Sequence, residues 1–155
     1  MAPTSRRRFI LDSCGCAMAA ACAGGAVQRL VAFQKGAREI TLAIPDADGV
    51  TIAADGAVLL VRERGRVMAL GPACPHESAA VRWVGKTGRF ECTKHNSRYQ
   101  RDGTFISGRA TRPLDRFPIR REGARVVITV DRLLRADRDM ADWEKAVVEA
   151  TGPRT

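Results

Sequence analysis

The 155 residues, 45% hydrophobic and 28% charged, have the composition of a single folded domain with little room for a second, and they exclude a disordered chain. Only 5% of the chain is aromatic, so the core must rest on Val, Ile, Leu and Ala. The net charge of +9 is dispersed: Arg6, Arg7, Arg8 and Arg29 stand near the N-terminus with Asp12, leaving 22 basic against 16 acidic residues, a balance that fits a solvated surface or an acidic partner rather than nucleic acid.

The chain opens with Thr4-Ser5-Arg6-Arg7-Arg8-Phe9-Ile10-Leu11, followed by a run of small residues from Ser13 to Val27. A basic start, an apolar stretch and small residues beyond it form an export signal. The Ser-Arg-Arg-x-Phe-Ile-Leu order resembles the twin-arginine signal, whose pathway carries folded proteins and so suits a cofactor inserted before export. The run between Asp12 and Gln28 is 15 residues of mostly Ala, Gly and Cys, short of the roughly 20 apolar residues of a spanning helix. Ala23, Gly25 and Ala26 would suit a peptidase. Cleavage and retention as a membrane anchor both stay open. Residues 1–33 are therefore set apart as a signal or anchor helix, with 34–37 as a linker.

The body then reads as short extended runs between turn signals. Arg38–Ile44 alternates before Pro45, and Ala57–Arg62 and Arg66–Leu70 flank Arg64-Gly65 as a hairpin. Arg89–Cys92 and Ser97–Gln100 follow, with Arg101-Asp102-Gly103 as the next turn, and Arg125–Val130 is a β-branched strand. This spacing predicts an all-β antiparallel sandwich or barrel over residues 38–134. From Asp139 to Ala150, the residues Met140, Trp143, Val147 and Ala150 fall at helical spacing, with Asp139 as N-cap and Gly152-Pro153 as a stop. Residues 135–155 thus form a short C-terminal helix and tail, which either packs on the domain's own sheet or docks a partner.

Two segments carry chemistry: Cys74-Pro75-His76 and Cys92-Thr93-Lys94-His95. Each offers one thiolate and one imidazole, and His76 and His95 are the chain's only histidines. Two cysteines on one iron and two histidines on the other is the ligand set of a Rieske [2Fe–2S] centre. A tetrahedral zinc site could use the same four donors, although such sites more often pair two close cysteines and then two close histidines, whereas here the order alternates. With Cys74 and Cys92 engaged, the body has no cysteines left for a disulfide, and a small domain of this kind needs another staple such as a metal cluster.

From about Arg38 to Leu134 the chain resembles the Rieske iron–sulfur family. The resemblance implies a three-sheet antiparallel β fold with a cluster-binding subdomain inserted at one tip. It implies a single [2Fe–2S] cluster held by Cys74, His76, Cys92 and His95, with the sulfur side buried and the histidines near the surface. His95-Asn96-Ser97-Arg98-Tyr99 is similar to the His-Gly-Ser-x-Tyr run of quinol-oxidising bc-type members. There the Ser hydroxyl donates to a cluster sulfide and the Tyr hydroxyl to a cysteine sulfur, so Ser97 and Tyr99 are expected to raise the potential. Ser107–Leu114 resembles the third loop that covers the cluster, with Arg109 and Thr111 where prolines are usual. The positions matching the bc-type disulfide are Ala79 and Lys94, so that bridge cannot form.

The resemblance implies an electron-transfer subunit rather than an enzyme on its own. The first expectation is the iron–sulfur subunit of a quinol oxidoreductase. It would sit on the outer, periplasmic face of the cytoplasmic membrane beside a b-type cytochrome, with a cytochrome c acceptor and with His76 or His95 contacting quinol. The missing disulfide equally resembles the small subunit of a periplasmic oxidase of the arsenite-oxidase kind, serving a large subunit, or a stand-alone Rieske ferredoxin. A zinc-stabilised binding module is the reading of a different class.

Overall fold

The computed structural model describes residues 37–151. The export segment expected over residues 1–33, the first part of the linker and the Gly152-Pro153 stop lie outside the described residues.

The strands of the described chain are antiparallel, as their spacing predicts, and they form three sheets, as the resemblance implies. The strands are β1 (Glu39–Ala43), β2 (Gly49–Ala53), β3 (Val58–Glu63), β4 (Arg66–Leu70), β5 (Val81–Val84), β6 (Arg89–Cys92), β7 (Arg98–Tyr99), β8 (Phe105–Ser107), β9 (Ile119–Glu122), β10 (Arg125–Thr129) and β11 (Val148–Glu149), with helix α1 (Met140–Lys145) before the last. One sheet has the order β1-β10-β9, a second β11-β4-β3-β2 and a third β5-β6-β7-β8.

The second sheet is the keel. Side chains alternate across a strand, yet Val58, Leu59, Leu60 and Val61 of β3 are all buried, as are Val67, Met68, Ala69 and Leu70 of β4. A sheet covered on both faces reads as a continuous apolar run rather than an alternation. Val58, Leu60, Val67 and Ala69 pack with Val126 and Ile128 of β10. Leu59, Val61, Met68 and Leu70 pack on the other side with Phe90, Tyr99, Cys74 and Cys92. The second core therefore runs without a break from the keel to the sulfur atoms of the candidate site. Each such aliphatic side chain contributes roughly 1.5–3 kcal/mol when buried.

The β3–β4 hairpin closes through Arg64 and Gly65, at φ 51° and 75°. Two consecutive positive φ values define a type I′ turn, whose twist matches the strands it joins. In the third sheet, Arg98 pairs with Ser107 and Tyr99 with Phe105, so Ile106 is an extra residue in β8. Such a bulge bends its strand, here directly before the third loop.

The C-terminal segment departs from expectation. α1 ends at Lys145 instead of running to Ala150, and Val148 and Glu149 extend to pair with Val67 and Arg66 on the free edge of β4. The β-branched pair Val147-Val148 favours that extended ending, and the edge supplies backbone partners that a further helical turn would have had to find within itself. Asp139 does not cap α1 with its side chain; its Oδ2 accepts the Arg135 N–H at 3.1 Å. Trp143 Nε1 donates to the Leu114 carbonyl at 2.9 Å. The buried Arg116 guanidinium lies 3.6 Å from the Trp143 ring centroid and donates to the Trp143 and Asp102 carbonyls. Its burial lowers its pKa to about 10. The C-terminal segment thus packs on its own domain.

Candidate metal centre

Two loops of matching backbone form the tip of the third sheet. In the first, the Cys74 N–H donates to the Ala79 carbonyl at 2.7 Å and Ser78 adopts φ +55°. In the second, the Cys92 N–H donates to the Ser97 carbonyl at 2.8 Å and Asn96 adopts φ +55°. Each cysteine is thus followed four positions later by a left-handed residue that turns the chain back. Asn tolerates that region better than most side chains, which explains how it stands where the bc-type run carries Gly. The loops meet at their bases, where the N–H and hydroxyl of Thr93 both donate to the Ala80 carbonyl at 3.0 Å.

The two loops carry the four expected donors, one thiol and one imidazole on each. Cys74 and Cys92 are buried, at 1% and 3% exposure, and both are free thiols. The His76 and His95 rings stand edge to face with centroids 5.0 Å apart, and their side chains keep 26% and 19% exposure. The sulfurs therefore lie inward and the imidazoles outward. Burial opposes ionisation of Cys92, but the backbone N–H groups of His95 and Lys94, the Cys74 side chain and the Ser97 N–H outweigh it and hold the thiol below its usual range. Such a pocket of N–H groups stabilises a thiolate, the form that binds metal.

Tyr99 and Ser97 also reach the site. The Tyr99 hydroxyl is 3.1 Å from Cys74 Sγ. Burial, and next the neighbouring Cys74, push the phenol far above its ordinary pKa, so it keeps a proton that it can donate wherever Cys74 is a thiolate. Ser97, fully buried, accepts the Ala110 N–H on Oγ at 3.1 Å, which leaves its own hydroxyl proton to give. Ala110 belongs to the third loop. That loop is tied down by this bond, by Leu114 N–H to the Gly103 carbonyl at 2.9 Å and by an Arg112–Asp115 ion pair. Hydrogen bonds and charge here do what prolines do in the usual form of the loop. At Gly108, φ is +113° and an added Cβ would lie 2.4 Å from Ser97 Cα. Gly108→Ala is accordingly expected to push the third loop off Ser97, costing about 1–3 kcal/mol and shifting the EPR line shape of the cluster-loaded protein; an unchanged spectrum and melting temperature would show that the loop yields freely.

One side chain escaped the sequence. Glu77 places Oε2 2.9 Å from Lys94 Nζ and 3.6 Å from His95 Nδ1, with Oε1 3.9 Å from His76 Nδ1. Lys94, first, holds the Glu77 carboxyl below its usual pKa. No spacing rule singles out an acid in a loop, so only the fold brings it forward.

Whether these residues suit a metal group rests on their unmet valences. His76 Nδ1 and His95 Nδ1 are buried without a hydrogen-bond partner, and a buried, unpaired imidazole nitrogen is costly. Two imidazole nitrogens lacking hydrogen-bond partners, on the same two loops as two free thiols with one tuned toward thiolate, suit a group that takes two sulfur and two nitrogen ligands. The fold and this tip define a β domain built to carry a metal cluster.

The chain belongs to the Rieske [2Fe-2S] domain family, whose profile matches residues 37–118. A Rieske-type [2Fe–2S] cluster is the cofactor this membership implies. Over 72 residues the chain is 31% identical to the cytochrome b6-f complex iron-sulfur subunit of Chlorobaculum thiosulfatiphilum, a match covering 46% of this chain and 40% of that protein. Over 65 residues it is 35% identical to the cytochrome b6-f complex iron-sulfur subunit 1 of Synechocystis sp., covering 41% and 36%. The chain thus spans about two-fifths of the length of these relatives. Among solved structures, the plasma membrane Rieske protein PetC3 of Synechocystis PCC 6803 superposes with a TM-score of 0.42 at 25% identity, over 51% of this chain and 82% of that one.

Proposed function

We propose that the protein is a one-electron carrier, with Cys74 and Cys92 binding one iron of the cluster and His76 and His95 the other. The observation that carries this is that two loops, joined at their bases by Thr93 and Ala80, each hold one free buried thiol and one partnerless imidazole nitrogen. When bound, the cluster supplies reversible one-electron chemistry; the chain's residues set its potential and its reach. Tyr99 donates to Cys74 Sγ, and Ser97 has a proton free to donate. Donors aimed at sulfur favour the more negative, reduced form, so the midpoint potential is expected in the upper half of the roughly −150 to +300 mV span of such centres. Tyr99→Phe removes one donor and should lower the potential by roughly 45 mV, the equivalent of about 1 kcal/mol for a one-electron couple. Protein-film voltammetry measures this, and an unshifted potential would mean that Tyr99 does not act on the cluster.

The partly exposed His76 and His95 side chains suit contact with a quinol hydroxyl, which supports a place in a bc-type quinol oxidoreductase with a b-type cytochrome and a cytochrome c acceptor. The named relatives, iron-sulfur subunits of cytochrome b6-f complexes, favour the same assignment. Residues 5–11 would direct export by the twin-arginine route to the periplasmic side. No helix among the described residues is long and apolar enough to cross a membrane, so anchoring would fall to the N-terminal segment. The free state of both described cysteines keeps a second reading, a soluble donor or acceptor to a periplasmic oxidase. Purification of the native complex distinguishes them: a b-type cytochrome that co-purifies with quinol oxidation supports the first, and a molybdenum subunit in its place supports the second. A colourless protein holding zinc would end both.

A further inference from the structure

We propose that Glu77 and Lys94 form an electrostatic clasp that holds the two ligand loops together at their tips. The proposal rests on the assignment of His76 and His95 as ligands. Lys94 Nζ donates to Glu77 Oε2 at 2.9 Å across 17 residues of sequence. The same carboxylate faces His95 Nδ1 of the opposite loop at 3.6 Å and His76 Nδ1 of its own at 3.9 Å. Both described cysteines are free, so no disulfide within the described residues joins the loops. The side-chain and backbone hydrogen bonds from Thr93 to the Ala80 carbonyl also join them. Those sit at the loop bases, one residue past Cys92, whereas the clasp sits beside the histidines. Glu77 and Lys94 are positioning residues that act through the loops they join.

The side chains of the pair are 44% and 61% exposed, which gives the clasp two properties a covalent bridge would lack. Ionic strength weakens it, because the Debye length shrinks from about 10 Å at 0.1 M to about 3 Å at 1 M salt. Thiol reductants do not touch it. An exposed pair is worth little in absolute terms, so the expected effect on a rate is about two- to fivefold.

The test uses the full-length, cluster-loaded protein and follows loss of its visible absorbance with a ferrous-iron chelator present. At low salt, Glu77→Gln and Lys94→Gln should each release iron about two- to fivefold faster than wild type. Their combination should release it no faster than either alone, because one interaction is lost once. Wild type in high salt should approach the variants, and the exchange Glu77→Lys with Lys94→Glu should restore slow release. The midpoint potential supplies a readout that loop damage alone would not move in this pattern: Glu77→Gln should raise it and Lys94→Gln lower it. Salt-independent release by wild type, additive single effects, or a charge exchange no better than the single variants would overturn the clasp while leaving the ligands standing. A wild-type protein without a Rieske EPR spectrum would remove the ligand assignment and the clasp with it.

Discussion

Cys74→Ala should yield a protein with no Rieske EPR signal, no visible absorbance and no stoichiometric iron or sulfide. Cys74 is 1% exposed, and its Sγ is held 3.1 Å from the Tyr99 hydroxyl. No other thiol among the described residues could replace it, since Cys92 is the only other described cysteine and is itself a proposed ligand. The loop would keep its backbone closure, Cys74 N–H to the Ala79 carbonyl and Ser78 N–H to the Cys74 carbonyl, because neither bond uses the sulfur. The lost side chain is small, so the direct packing loss is about 1 kcal/mol or less. Losing the cluster also removes its binding contribution to stability. The variant is therefore expected to show native β-rich circular dichroism with a lowered melting temperature. A Cys74→Ala protein that kept the EPR spectrum would show the cluster to be held elsewhere.

Phe90→Ala should destabilise the loaded protein by about 3–5 kcal/mol, a large share of the 5–15 kcal/mol that keeps such domains folded. Phe90 is fully buried, stacks edge to face on Trp83 with centroids 5.0 Å apart and lies opposite Tyr99 in the β6–β7 register. It joins the keel residues Leu59, Val61 and Leu70 to the sulfur side of the site. Removing it leaves a cavity under Tyr99 as well as in the core, so cluster loss should begin at lower denaturant than in wild type. Denaturant unfolding followed both by far-ultraviolet circular dichroism and by cluster absorbance measures both effects. A loss under about 1 kcal/mol would mean that the core closes over the gap.

Much of the strand pattern is legible because it rests on neighbours in the chain. Arg64-Gly65 between two apolar runs is a turn by local chemistry, and the β-branched run from Arg125 follows from side-chain shape. β2, β5, β8 and β9 are harder to read, being five residues or fewer with mixed burial. The C-terminal misreading has a clear source. Helical spacing at Met140, Trp143, Val147 and Ala150 is a local signal, but the free edge of β4 is not, and it drew Val148 and Glu149 into a strand.

The same division runs through the site. The alternating order of thiol and imidazole in two short segments, with no histidine elsewhere, marks a metal centre from sequence alone, because ligand identity and loop spacing are covalent properties of the chain. How the site is held together is not. That Gly108 must pack against Ser97, that Tyr99 reaches Cys74 from 25 residues away and that Glu77 finds Lys94 across the loops all depend on side chains far apart in sequence. Those contacts exist only once the keel is buried on both faces and fixes where the tip of the third sheet stands.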